Sequence, residues 1–81
     1  MKVAIVTGGT RGIGKSITEE LYNEGYQVIA VYNSNDAKAL ELTQQLPGLD
    51  VCKCDISDSK AVQRMVSKIY RTYGRIDCLV N

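Results

Sequence analysis

Four short apolar runs recur along the chain, separated by longer polar and mixed segments. The runs are Val3–Val6, Gln27–Tyr32, about Asp50–Cys54 and Ile76–Val80. The first two are almost continuously apolar, which is typical of strands in a parallel sheet that is covered on both faces. The pattern therefore predicts four strands.

Three segments between these runs show a helical repeat of apolar residues. They span about Gly12–Glu24, about Ala37–Leu46, and a third stretch between a predicted cap at Asp58 and a stop at Gly74. Gly25 and the pair Pro47-Gly48 are expected to end the first two helices. The buried stripes predicted for the three helices are Ile13, Ile17 and Leu21; Leu40, Thr43 and Leu46; and Val62, Met65, Val66, Ile69 and Tyr73.

The alternation of strands and helices predicts an α/β fold with the order β-α-β-α-β-α-β. With right-handed crossovers this order gives half of a Rossmann-type doubly wound parallel sheet with strand order 3-2-1-4. Its topological switch point then lies between the first and fourth strands. A dinucleotide is expected at the carboxyl ends of those two strands.

One glycine-rich stretch, Thr7-Gly8-Gly9-Thr10-Arg11-Gly12-Ile13-Gly14, connects the first strand to the first helix. Main-chain amides at a helix N-terminus lack partners within the helix and carry the positive end of its dipole, so they favour an anion. Gly8 is expected to let the chain reverse, Gly12 to let a pyrophosphate approach the backbone, and Gly14 to let the helix lie close to the sheet. A plain loop without a ligand is the alternative interpretation.

The spacing Gly-x-x-x-Gly-x-Gly resembles the cofactor loop of classical short-chain dehydrogenases/reductases. The Thr10-Arg11 pair before Gly12-Ile13-Gly14 is most similar to the 3-oxoacyl-[acyl-carrier-protein] reductase branch of that family. The resemblance implies an NADPH-dependent reductase of a 3-ketoacyl thioester that is linked to an acyl carrier protein. It implies cofactor contacts in this loop from Gly8, Thr10, Arg11, Gly12, Ile13 and Gly14.

The end of the second strand favours NADP over NAD. An NAD site places a carboxylate about 20 residues after the glycine motif, to accept from the ribose 2′-hydroxyl. This chain has Asn33 and Ser34 there, with Arg11 in the glycine loop. A guanidinium and small polar donors suit a 2′-phosphate. Asp36 is a candidate ribose acid if the strand ends later, but Asn35 or Asp36 is interpreted as the cap of the second helix.

Two later segments match the same family in order. The resemblance implies that Asp55, at the end of the third strand, accepts from the adenine amino group, and that Ile56 supplies a backbone contact. Leu79-Val80-Asn81 matches the start of the family's Asn-Asn-Ala-Gly motif, which places Asn81 beside the adenosine ribose. A turn-forming role for Asp55 remains the alternative.

The family's catalytic pattern Tyr-x-x-x-Lys is missing from all five tyrosine positions. The resemblance therefore implies no catalytic residue among these 81 residues, which are interpreted as a half-domain, 1–81, cut before the catalytic half. The fourth strand would then expose an apolar edge at Cys78–Val80, which predicts self-association. Alternatives are an NAD(P)-dependent alcohol or sugar dehydrogenase, or a complete non-catalytic nucleotide-binding module.

Composition and charge bear on nucleic-acid, membrane and metal binding. A net charge of +1 with 23% charged residues gives no indication of nucleic acid or a membrane surface as a partner. The chain has no histidine, and its cysteines, Cys52, Cys54 and Cys78, do not have metal-ligand spacing. They are interpreted as small apolar residues of a reduced, cytoplasmic protein. The basic residues of the third helix are interpreted as a solvated face.

Overall fold

The computed structural model describes all 81 residues, Met1 to Asn81. Seven elements follow one another in strict alternation of strand and helix. They are β1 (Val3–Thr7), α1 (Gly12–Asn23), β2 (Gln27–Tyr32), α2 (Asp36–Gln45), β3 (Asp50–Lys53), α3 (Ser59–Tyr73) and β4 (Cys78–Val80). Each element was predicted from the sequence, with boundaries that differ by one or two residues.

The four strands form one parallel sheet in the order β3-β2-β1-β4. This order confirms the predicted Rossmann-type topology. The register pairs Thr7 with Val31 and Val6 with Val80, so the carboxyl ends of the strands meet at one edge of the sheet. That edge carries the loops that follow β1, β2 and β3, and Asn81, which follows β4.

Two apolar cores lie on opposite faces of the sheet, because alternate strand residues point to opposite sides. One core packs α3 against the sheet and includes Val3, Ile5, Ile29, Val31, Cys54, Met65 and Ile69. The other packs α1 and α2 against it and includes Val6, Val28, Ala30, Leu42 and Leu49. The sheet is therefore covered on both faces, as its continuous apolar strands predicted.

Two predicted core residues, one in α1 and one in α3, lie outside the core. Ile13 is 82% exposed, because it sits in the first turn of α1, beside the glycine loop rather than over the strands. The buried residue of that helix is Thr18, while Ile17 and Leu21 pack against the core at half burial. In α3, Met65 and Ile69 are buried as predicted, whereas Val66 is 38% exposed.

One of the three residues predicted for the buried stripe of α2 is wrong. Leu40 is 60% exposed, and Ala39 and Leu42 are buried in its place. Neighbouring helical positions differ by about 100° around the axis, so a shift of one residue moves a side chain off the sheet. Leu46 does pack against the core as predicted, and Thr43 is half-buried.

The predicted N-caps are confirmed at two helices. Asp58 accepts hydrogen bonds from the amides of Lys60 and Ala61, both at 3.1 Å. The Asn35 side chain accepts from the Lys38 amide at 3.0 Å, so Asn35 is the cap of α2 and Asp36 is its first residue. All three cysteines are free thiols, with Cys54 buried and Cys52 and Cys78 half-buried.

Candidate functional site

The glycine loop forms the turn between β1 and α1, at the carboxyl edge of the sheet. Along Gly8–Gly14, the Gly9 amide donates to the Val31 carbonyl at 3.1 Å, and the other amides have no protein acceptor. Gly8 and Gly12 have φ values of +63° and +60°, a region that side-chain-bearing residues disfavour. The loop thus presents unpaired donors next to the positive end of the α1 dipole, where an anion is stabilised.

Two other glycines are required by close packing. A Cβ on Gly14 would lie 1.9 Å from the Gly8 carbonyl oxygen, so the first turn of α1 rests directly on the loop. A Cβ on Gly9 would lie 2.8 Å from the Thr18 hydroxyl oxygen and 2.9 Å from the Ala30 Cβ. That hydroxyl donates to the Gly9 carbonyl at 2.9 Å, which fixes the loop against α1.

The loop and the end of β2 enclose a cavity of about 250 Å³. It brings together five residues that the sequence predicted as cofactor contacts, Gly8, Thr10, Arg11, Asn33 and Ser34. Its remaining lining is Tyr32 and Asn35, so no carboxylate faces it. We call it the ribose cavity. A smaller cavity of about 190 Å³ adjoins it through Thr10 and Arg11 and includes Gly12, Lys15, Lys38 and Glu41.

Asp36 does not line the ribose cavity. Its Oδ1 accepts a hydrogen bond from the Tyr32 hydroxyl at 3.1 Å, and its Oδ2 lies 3.4 Å from Lys53 Nζ. Burial and this hydrogen bond to Asp36 both raise the pKa of the Tyr32 phenol. The interpretation that Asn35 caps α2, rather than that Asp36 reads a ribose, is consistent with this arrangement.

Asp55 forms a turn after β3. Its Oδ1 accepts from the Ser57 hydroxyl at 2.7 Å and from the Ser57 amide at 3.0 Å, and these bonds hold its pKa below the usual range. This is the turn-forming role that the sequence left as an alternative for Asp55. The same structure leaves Oδ2 exposed and without a protein partner.

Asn81 lies next to the end of β1. The Thr7 hydroxyl is 3.0 Å from Oδ1 of Asn81 and 3.2 Å from the Val80 carbonyl oxygen. Asn81, Thr7 and Ile56 also line a cavity of about 340 Å³ between β4 and α3, which is otherwise apolar. This cavity is separate from the ribose cavity, so the predicted site residues fall into two groups along one edge of the sheet.

The sequence analysis named most of these residues as candidates and missed several others. Gly9, Thr18 and Thr7 hold the loop and the β4 end in place, yet none was assigned a role beforehand. A packing role for Gly9 could have been inferred from the sequence, because one turn needs a single glycine and Gly8 and Gly9 are adjacent. A buried threonine within an amphipathic helix carries no comparable signal. Ile13 was predicted at the site and lines neither polar cavity.

A model of the short chain dehydrogenase family matches residues 2–81. This chain belongs to that family. The match covers the glycine loop, both polar cavities and the β4 end. No helix of this family member is both long enough and apolar enough to cross a membrane.

Several relatives are similar over almost the whole chain. L-fucose dehydrogenase from Bos taurus is 39% identical, and acetoacetyl-CoA reductase from Rhizobium meliloti is 40% identical, each over 99% of this chain. The 3-oxoacyl-[acyl-carrier-protein] reductase from Staphylococcus aureus is 34% identical over 99% of it. The chain covers 29%, 33% and 34% of these three proteins, so it spans about a third of their length.

Solved structures of the family share this architecture. A short chain dehydrogenase from Bacillus anthracis is 30% identical, with a TM-score of 0.88 over 96% of this chain and 34% of its own. The parallel sheet with order 3-2-1-4 is thus the N-terminal fold of a short-chain dehydrogenase, and the family binds a nicotinamide dinucleotide. The relatives named above are dehydrogenases and reductases, which are oxidoreductases.

Proposed function

We propose that this chain is the NADPH-binding N-terminal part of a reductase that acts on a 3-ketoacyl thioester. The observation that carries the coenzyme assignment is the ribose cavity, which unites Arg11, Asn33 and Ser34 and has no carboxylate in its lining. The diphosphate is assigned to the unpaired amides of the glycine loop. The proposed contact set is Gly8, Thr10, Arg11, Gly12, Ile13, Gly14, Asn33, Ser34, Asp55, Ile56 and Asn81.

The preference for NADP follows from charge. A 2′-phosphate carries a double negative charge, which a carboxylate in the lining would repel and a guanidinium would bind through paired hydrogen bonds. Arg11 lies where both polar cavities meet, and Asn33 and Ser34 add neutral donors. The bound coenzyme would supply the hydride, while these residues hold its adenosine end.

The adenine end is assigned to Asp55 and Ile56. The exposed Oδ2 of Asp55 remains available to accept from an exocyclic amine, while Oδ1 is held by Ser57. Asn81 is assigned to the adenosine ribose, and its contact with Thr7 holds it at the switch point between β1 and β4.

The proton that follows the hydride is proposed to come from outside these residues. None of the five tyrosines is followed by lysine four positions later. Burial and the adjacent Asp50 carboxylate raise the pKa of Tyr73 to about 12. A proton donor that works near neutral pH needs the opposite shift. We therefore expect the 81-residue chain to bind coenzyme without reducing a ketone.

The substrate class is supported by two relatives whose names specify 3-ketoacyl thioesters, the acetoacetyl-CoA and 3-oxoacyl-[acyl-carrier-protein] reductases. Sugar oxidation is the second candidate, because L-fucose dehydrogenase is 39% identical. For the whole protein we further propose an acyl-carrier-protein-linked substrate, a homo-oligomer and a cytoplasmic location, with no nucleic-acid or membrane partner.

Calorimetric titration with NADPH and NADH tests the coenzyme proposal. The unmodified chain is expected to bind NADPH more tightly, and Arg11→Ala is expected to weaken NADPH binding by about tenfold, the effect of one charged hydrogen bond. Lys60→Ala removes a cation from the distant surface of α3 and serves as the control. An Arg11→Ala variant that keeps the full NADPH preference would contradict the assignment.

The proposed reaction is tested with the full-length gene product. Its reading frame is first followed past Asn81. A reading frame that continues into a Tyr-x-x-x-Lys segment is expected, and a stop codon after Asn81 would favour a stand-alone nucleotide-binding module instead. With the longer product, acetoacetyl-CoA should accelerate NADPH oxidation. Coenzyme reduction by L-fucose, without activity on acetoacetyl-CoA, would establish the second candidate.

A further inference from the structure

We propose that Tyr32 and Lys53 are positioning residues that hold the Asp36 carboxylate away from the ribose cavity and so set its preference for a 2′-phosphorylated coenzyme. The inference rests on the proposed function. It concerns a three-residue contact in which the Tyr32 hydroxyl donates to Oδ1 at 3.1 Å and Lys53 Nζ lies 3.4 Å from Oδ2.

The contact lies at the border of the cavity. Tyr32 and Asn35 line the ribose cavity, whereas Asp36, the next residue along the chain, does not. Asn35 fixes the start of α2 by accepting from the Lys38 amide. Since this cap holds the backbone at Asp36, the direction of its carboxylate depends on the side chain and its two partners.

Each partner acts in a different way. Lys53 is on β3, and the strand register pairs it with Tyr32. Its ammonium nitrogen lies 3.4 Å from Oδ2 of Asp36, and neither Lys53 nor Asp36 lines the cavity. Its charge neutralises the carboxylate. Tyr32 donates a hydrogen bond that fixes the orientation of the carboxylate, and burial together with this hydrogen bond raises the pKa of the Tyr32 phenol.

A released carboxylate would change the selectivity of the cavity. Next to Asn35 it would repel a 2′-phosphate through like charge, and it could accept a hydrogen bond from the free 2′-hydroxyl of NADH. The side chains of Lys53 and Asp36 are 55% and 67% exposed, so their ion pair adds little to the stability of the fold. Removing the pair should therefore alter coenzyme preference and leave the fold intact.

The test measures the dissociation constants of NADPH and NADH by calorimetric titration of the full chain. We expect Lys53→Met to raise the NADPH constant by about threefold, as for loss of one exposed charge pair, without raising the NADH constant. The double variant Tyr32→Phe/Lys53→Met should show a larger change in the ratio of the two constants. Lys53→Arg should restore the ratio, and Lys60→Met, which removes a remote cation from α3, should not change it.

A cycle with Asp36→Asn separates positioning from a direct effect of the lysine charge. If Lys53 acts through Asp36, Lys53→Met will not change the ratio in an Asp36→Asn background. An equal loss of NADPH affinity in that background would show that Lys53 attracts the phosphate by itself and would overturn the inference. Weakening of both coenzymes alike would assign Tyr32 and Lys53 a purely structural role, which would also overturn it.

The outcomes separate this inference from the proposed function. If the unmodified chain binds NADPH in preference to NADH and the Lys53→Met ratio is unchanged, the positioning role is wrong and the coenzyme assignment stands. If the unmodified chain does not prefer NADPH, both are wrong.

Discussion

Two corners of the same sheet edge differ sharply in character. The glycine-loop corner comprises Thr7–Gly14 with Asn33–Asn35, and its cavity is lined almost entirely by polar groups and glycine. The α3–β4 corner comprises Ile56, Val62, Val66 and Leu79 with their neighbours, and seven of its nine lining residues are hydrophobic. Both lie at the carboxyl ends of parallel strands, so topology alone does not explain the difference.

The two corners are stabilised in different ways. In the glycine-loop corner, backbone atoms of neighbouring segments touch directly, and unpaired amides are left to bind an anion. In the α3–β4 corner, Val62 and Ile76 pack against the core beside Met65. Two further apolar residues of that corner remain largely in water, with Leu79 65% exposed and Ile56 54% exposed. We conclude that the first corner is specified by steric exclusion of side chains, and the second by hydrophobic contact.

The largest effect is expected from a substitution in the glycine-loop corner. In Gly14→Ala the new Cβ would meet the Gly8 carbonyl at 1.9 Å, so the backbone must shift. We expect a loss of about 3 kcal/mol in unfolding free energy, the upper range for overpacking, together with loss of NADPH binding. Urea denaturation measures the first. Glu20→Ala, at an exposed position of the same helix, is the control, and equal losses in the two variants would contradict the steric argument.

A smaller effect is expected beside the α3–β4 corner, at the start of α3. Asp58→Ala removes the acceptor of the Lys60 and Ala61 amides and should lower the unfolding free energy by about 1 kcal/mol, as for other N-caps. NADPH affinity should stay the same, because the cap is outside both polar cavities. Ser59→Ala, one residue later, is the matched control in urea denaturation.

The amino end of β4 provides a pH-dependent test. Hydrogen bonds from Arg75 and the Val3 amide lower the pKa of Asp77 to about 2. A carboxyl whose pKa is lowered by folding stabilises the protein above its unfolded value of about 3.9 and loses this contribution as pH falls toward 2. Unfolding measured between pH 5 and pH 2 should therefore show a shallower fall for Asp77→Asn. An unchanged slope would mean that Asp77 does not attach β4 to β1.

The smallest effect on stability is expected at Leu79. Because its side chain is 65% exposed, Leu79→Lys should change the unfolding free energy by no more than about 0.5 kcal/mol. We expect the unmodified chain to self-associate through the β4 edge and the variant to do so less, as charges on edge strands oppose pairing. Sedimentation at several concentrations measures this, with Leu40→Lys as the control. A monomeric unmodified chain would contradict the prediction.

The sequence predicted the elements more reliably than the faces of the helices. The strands, the caps at Asn35 and Asp58 and the strand order all followed from local patterns. The buried stripe of α2 was wrong at Leu40, because helical periodicity identifies an apolar side without showing which residue meets the sheet. Ile13 was wrong for a different reason, since the first turn of α1 lies beyond the strands.

The sequence also located the glycine loop and Arg11, but did not show which groups meet. Asp55 lies four residues before the start of α3, and only the structure shows that its Oδ1 accepts from Ser57. Likewise, only the structure shows that the Tyr32 hydroxyl and the Lys53 ammonium group contact the Asp36 carboxylate.

The sequence by itself determined the order of elements, the position of the anion-binding loop and the family, since these depend on residues that are neighbours along the chain. The tertiary structure decided which side chains face each cavity and how the site divides into a polar and an apolar corner. The physical reason is that strand register and helix rotation are set by packing between distant segments, and small shifts in either move a side chain to another surface.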